Sequence, residues 1–194
     1  EFESNKLLHA AFPDVLWGRD VKQAPKWSED DGIIVKRSSN PNEATIEAWG
    51  IVDGQPTSKH FGVLHYDDLV TEKSVTTPDM ITKTTDQLAM SYNLGKRGGK
   101  KRFAGTFYHF GDTYKTTIKR GTAIPRIYAA TDDGTETGIP VLLTRAQLDA
   151  KRRDLGEYIF SCQMLQNPVG DKTQGFKREW LRQFTNAPPR NRTN

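Results

Sequence analysis

The segment FGVLHYDD, residues 61–68, limits what this chain can fold into more than any other stretch. Phe61, Val63, Leu64 and Tyr66 form a short apolar run that does not alternate cleanly with polar residues. That is the pattern of a strand covered on both faces, which belongs to a sheet packed between helices. Further strands are expected at 32–38, 44–52, 102–110, 124–131 and 139–143. A helix is expected at about 78–94, where Thr77 is the N-cap, Pro78 the first helical residue and Asp79 a favourable first-turn acid. Met80, Ile81, Thr84, Leu88 and Tyr92 form its inner stripe, and Gly95 closes it. Shorter helices are expected at 3–12, at 113–120 behind an Asp112 cap, and from Thr144 to about 155. Gly156 breaks the last of these, and a further helix runs over 157–165. Strands alternating with helices predict an α/β chain with helices on both faces of the sheet.

Composition narrows the class. The chain has 194 residues with 35% hydrophobic and 27% charged, polar for a globular protein. Four Trp, six Tyr and nine Phe still suffice for a core. The net charge of +4 is compatible with a polyanionic partner. One cysteine, Cys162, rules out an internal disulfide framework and fits a reducing compartment. No run of about 18 apolar residues is present, so no transmembrane helix is expected. The opening EFESNKLLHAAFPDVLW lacks the pattern of a signal peptide. Both ends read as cuts in a longer polypeptide: the first enters a helical pattern directly, and the last, NAPPRNRTN, is linker-like.

The acid pair is the main chemical feature. A buried strand delivering two carboxylates is the Walker B pattern of nucleotide hydrolases. One carboxylate, Asp67, would hold the waters of a Mg²⁺ bridging the phosphates. The next, Asp68, would orient or deprotonate the attacking water. Two solvated aspartates at a strand end are the plain alternative. A phosphate loop is the natural companion, and GKRGGKK, residues 95–101, is the nearest candidate. It lacks one spacer residue, has Lys101 where Ser or Thr must bind the metal, and runs from a helix into a strand. It reads as a solvated loop whose Lys96, Arg97, Lys100, Lys101 and Arg102 offer contacts to nucleic-acid phosphate. In FAGTFYHFGD, residues 103–112, Gly105 lets the backbone approach a ligand and Thr106 offers a hydroxyl near a phosphate. His65, Asp67, His109 and Asp112, with Asp68, are also compatible with a two-metal nuclease site.

Four segments together resemble the large subunit of tailed-phage terminases: NKLLHAAFPDVLW (5–17), residues 27–71 from WSEDDG to HYDDLVT, FAGTFYHFGDTY (103–114) and LGEYIFSCQMLQNPV (155–169). The resemblance implies the second half of an ATPase domain (1–121) with a partial P-loop NTPase sheet of the ASCE type. It further implies a lid or linker subdomain (122–180) and a tail (181–194) leading towards a nuclease domain. It implies Asp67 as the Mg²⁺ residue, Asp68 as the catalytic carboxylate, and Gly105 with Thr106 as the coupling motif that senses the γ-phosphate. Tyr158, Phe160, Met164 and Leu165 are expected as core. ATP and Mg²⁺ are the implied cofactors of the whole protein. Double-stranded DNA, a portal protein, a small terminase subunit and further copies in a ring are its implied partners. Its implied place is the host cytoplasm, docked on the procapsid. The family's Walker A and nuclease segments are not in this sequence, so the chain alone is expected to bind ATP poorly and to hydrolyse none. A small metal nuclease, or a DNA-binding or assembly module using Lys100 and Lys101, are the alternative functions.

Overall fold

A computed structural model of the chain describes residues 2–39, 41–52 and 54–168, with Arg19 described by its backbone alone. The expected tail at 181–194 and the end of the expected lid lie outside the described residues. The elements in order are α1 (Lys6–Ala11), β1 (Trp27–Ser28), β2 (Gly32–Ile33), β3 (Phe61–Asp67), α2 (Pro78–Ser91), β4 (Gly95–Ala104), α3 (Thr113–Lys119) and α4 (Arg145–Gln163). The protein is mixed α/β. Two compact units are present: Glu1–Leu69 with Thr76–Gly105, and Val70–Val75 with Thr106–Asn194.

The first unit is built on a βαβ element. β3 and β4 pair in parallel, with Tyr66 opposite Phe103 and Asp67 opposite Ala104. Parallel strands need a crossover, and α2 supplies it. Its start is the expected one: the Thr77 hydroxyl accepts the Met80 N–H and Pro78 sits in the first turn. Leu88 is its most buried side chain, 1% exposed, while Met80, expected on the inner stripe, is 41% exposed. The Tyr66 hydroxyl lies 2.7 Å from Ser91 Oγ, and its ring stacks on Phe103 at 5.0 Å. Burial pushes the Tyr66 phenol up, against a smaller opposing effect of the Ser91 hydrogen bond.

The GKRGGKK segment is strand, not loop. Phe61 pairs with Gly95 but Val63 with Lys100, so β4 carries three extra residues in a bulge. Gly98 takes φ +76° there, and a Cβ on Gly99 would meet Lys96 O at 2.9 Å and Gly62 O at 3.0 Å. The glycines therefore serve a bulge between closely spaced backbones.

Several expected strands do not form. The 32–38 segment pairs only at Gly32 and Ile33, against Ser28 and Trp27. The 44–52 segment contributes one bridge, Ile46 to Ile33, then leaves the ladder at Glu47, whose side chain turns inward. The 102–110 strand stops at Ala104. The 124–131 and 139–143 segments meet at one bridge, Thr131 to Pro140, since Pro140 has no N–H to extend it. Among the described residues, the sheet containing β3 thus has two strands instead of many. It is uncovered in places, with Val63 53% exposed.

The second unit packs around Leu148, Phe160 and Leu165, with Ala130, Leu143, Leu155 and Met164 against them. Phe160 and Leu165 are core, as expected. α4 begins with a capping box between Thr144 and Gln147. It is two helical pieces joined at Gly156, whose φ of 75° and ψ of 164° suit glycine alone. No helix among the described residues is long and apolar enough to cross a membrane.

Candidate functional site

The ends of β3 and β4 bring three of the four expected site residues close in the ladder. Asp67 closes β3 opposite Ala104, and Gly105 follows directly. The Asp68 amide donates to the Ala104 carbonyl at 3.1 Å, which ties the acid pair to the end of β4. Asp68 has φ +44°, the left-handed region that side chains seldom occupy, so the chain turns sharply at the second acid. Both aspartates are exposed, and neither carboxylate has a hydrogen-bond or ion-pair partner among the described residues. Thr106, half-buried, opens the second unit.

A cleft of about 340 Å³ runs along β3 in the first unit, lined among others by Glu47, Trp49, Gln55, His65, Asp67 and Asp68. Its size suits a small ligand or part of one. Glu47 and Trp49 in that lining belong to a polar network. Glu47 Oε2 accepts from the Lys59 ammonium at 2.5 Å and from Trp49 Nε1 at 3.0 Å, while Oε1 accepts the Ala44 N–H at 2.7 Å. The Lys59 ammonium also lies 4.9 Å from the Trp49 ring centroid. Burial works to raise the Glu47 carboxyl, but the bonds from Lys59, Ala44 and Trp49 together outweigh it and hold the group below its ordinary value. Glu47 thus stays ionised and fixes Trp49, 49% exposed, at the cleft. The sequence offered little warning of this network. Glu47 and Trp49 read as two positions on one face of an ordinary strand.

A Mg²⁺ at phosphates needs one or two protein carboxylates, with waters and phosphate oxygens completing its shell. Asp67 and Asp68 meet that need in residue type. Among the described residues no three His, Cys, Asp or Glu gather as a ready metal cluster. Asp112, a candidate of the nuclease alternative, has a backbone role. This aspartate is fully buried, and its oxygens accept the N–H groups of Tyr108 at 3.0 Å, His109 at 3.2 Å and Lys115 at 3.0 Å. It is a helix cap and loop clasp, with backbone N–H groups on both of its oxygens. His109 Nδ1 likewise accepts from Gly111 N–H at 3.1 Å.

The basic cluster lies on β4. Lys96, Arg97, Lys100, Lys101 and Arg102 are all exposed. The register places Lys100 beside Val63 and Arg102 beside His65 on one face, and Lys101 beside Leu64 on the other. The Lys101 ammonium sits 4.3 Å from the Tyr92 ring centroid. No protein-family model matches the chain, and no curated protein or solved structure matches it.

Proposed function

We propose that this chain is part of a terminase large subunit, an ATP-driven motor that packages double-stranded viral DNA into procapsids. The observation that carries the reading is the free acid pair at the carboxyl end of a parallel βαβ element, with Gly105 following the paired strand. Ligands of α/β sheets bind beyond the carboxyl ends of their strands. In this reading Asp67 holds a Mg²⁺ at the phosphates, Asp68 orients the attacking water, and Gly105 with Thr106 passes hydrolysis to movement. The open β3–β4 pair is then part of a larger P-loop sheet. Parallel pairs are rarely left uncovered, and Val63 at 53% exposed suits a face that further chain covers. The phosphate cradle belongs to that further chain, since the glycines of residues 95–101 serve the bulge.

The test is ATP turnover by the longer polypeptide that includes the upstream coding sequence. Asp68→Asn should lower turnover by about a hundredfold or more, the usual worth of a general base, while nucleotide binding persists. Unchanged turnover would rule out the assignment. The exposed cations of β4 favour a second reading, a DNA-binding module without catalysis. It would show as salt-sensitive DNA binding by this chain that is lost in a Lys100→Ala, Lys101→Ala double variant.

A further inference from the structure

Within the second unit, the chain just after Thr106 is held from two directions. Asp112 grips it on one side through the N–H groups of Tyr108 and His109, at 3.0 and 3.2 Å. The end of α4 grips it on the other. Tyr158 Oη donates to the Tyr108 carbonyl at 2.6 Å, and Gln163 Nε2 donates to the Tyr108 hydroxyl at 3.2 Å. Gln166 Oε1 accepts the Phe107 N–H at 3.5 Å.

Both polar backbone groups of Tyr108 are thus engaged, one from each side. The Phe107 ring is buried, edge-on to Tyr114 at 6.3 Å and 3.8 Å from the Lys115 ammonium. Gln166 sits at φ +53°, in the left-handed region that side chains seldom occupy, and its amide also donates to the Gln163 carbonyl at 3.1 Å. All three gripping residues follow Gly156, where α4 is broken. A glycine at such a break is a natural pivot.

We propose that Tyr158, Gln163 and Gln166 form a latch that positions Thr106. Motion of the chain beyond Gly156 reaches Thr106 through the backbone of Phe107 and Tyr108, one covalent step away. The role rests on the reading of Gly105 and Thr106 as the coupling pair. It gives the Tyr and Gln side chains of the EYIFSCQMLQ segment a mechanical task in addition to packing.

Two measurements test it, both on Tyr158→Phe, which removes one hydroxyl and keeps the ring. In this chain, amide exchange at Phe107, Tyr108 and His109 should quicken about tenfold, while α2 exchanges as before. Equal exchange at those amides overturns the latch, whatever the chain does. In the longer polypeptide, ATP turnover should stay within about twofold while DNA movement falls about tenfold. Retained DNA movement overturns the positioning role and leaves the assignments of Asp67 and Asp68 standing. A parent protein without ATP turnover overturns the reading and the coupling role with it, and the exchange result then stands as local structure alone. Gln166→Asn, which shortens the arm by one methylene, should repeat both effects if Tyr158→Phe proves poorly folded.

Discussion

Asp67 and Asp68 at the end of β3, and Asp112 before α3, are acidic side chains that the sequence offers as site candidates. They could hardly differ more. The first pair is exposed at a cleft, with no partner among the described residues. Asp112 is fully buried with three N–H groups on its oxygens. A buried carboxylate that accepts three backbone N–H groups supports the fold and has little left for a metal. One that stays free contributes little to folding and keeps its oxygens for a ligand.

Substitutions can sharpen that contrast. The largest effect expected is the roughly hundredfold loss of ATP turnover in Asp68→Asn of the longer polypeptide. The next is on stability. Asp112→Ala leaves three amides without their acceptor and should cost this chain about 2–4 kcal/mol in chemical denaturation. Asp67→Asn and Asp68→Asn should each stay within about 0.5 kcal/mol of the parent in the same assay, as surface changes usually do. Equal losses at all three positions would erase the distinction.

The Glu47 network lies between these extremes, as a charge both buried and at the cleft. Its carboxyl is held below the ordinary value of 4.5. Its contribution is therefore complete above that pH and is lost as pH falls through the lower folded value. Glu47→Gln should cost about 2 kcal/mol at neutral pH, and the gap to the parent should narrow in acid below 4.5. A gap that stays constant with pH would mean that the Glu47 charge does not matter. The smallest effect concerns Cys162, whose thiol is pushed up by burial. A thiol reagent should label it only on unfolding, with no change in the folded protein's properties.

Much of the local grammar was legible. Thr77 and Pro78, Asp112, Thr144 and Gly156 announce helix starts and a break. Those signals act within one turn of chain, and the structure keeps each of them. The long strands were not legible in the same way. Runs such as 44–52 and 124–131 have the periodicity of strands, but a strand exists only where a partner meets its backbone. Pro140 withholds a donor, and the inward turn at Glu47 takes the chain off the ladder. The basic glycine-rich segment failed in the opposite sense. It looked like a loop because bulge glycines and phosphate-loop glycines obey the same steric rule.

By itself, the sequence determined an acid pair closing an apolar strand, a helix and a second strand to follow, and a single cysteine. These depend on side-chain type and short spacing. Only the tertiary structure decided which acids are free. It set β4 beside β3 in parallel, joined Glu47 to Lys59 and Trp49, and put the three amides on Asp112. It also closed Tyr158 on Tyr108, fifty residues away in the chain. Such pairings depend on where distant backbones come to rest, and no local spacing encodes that.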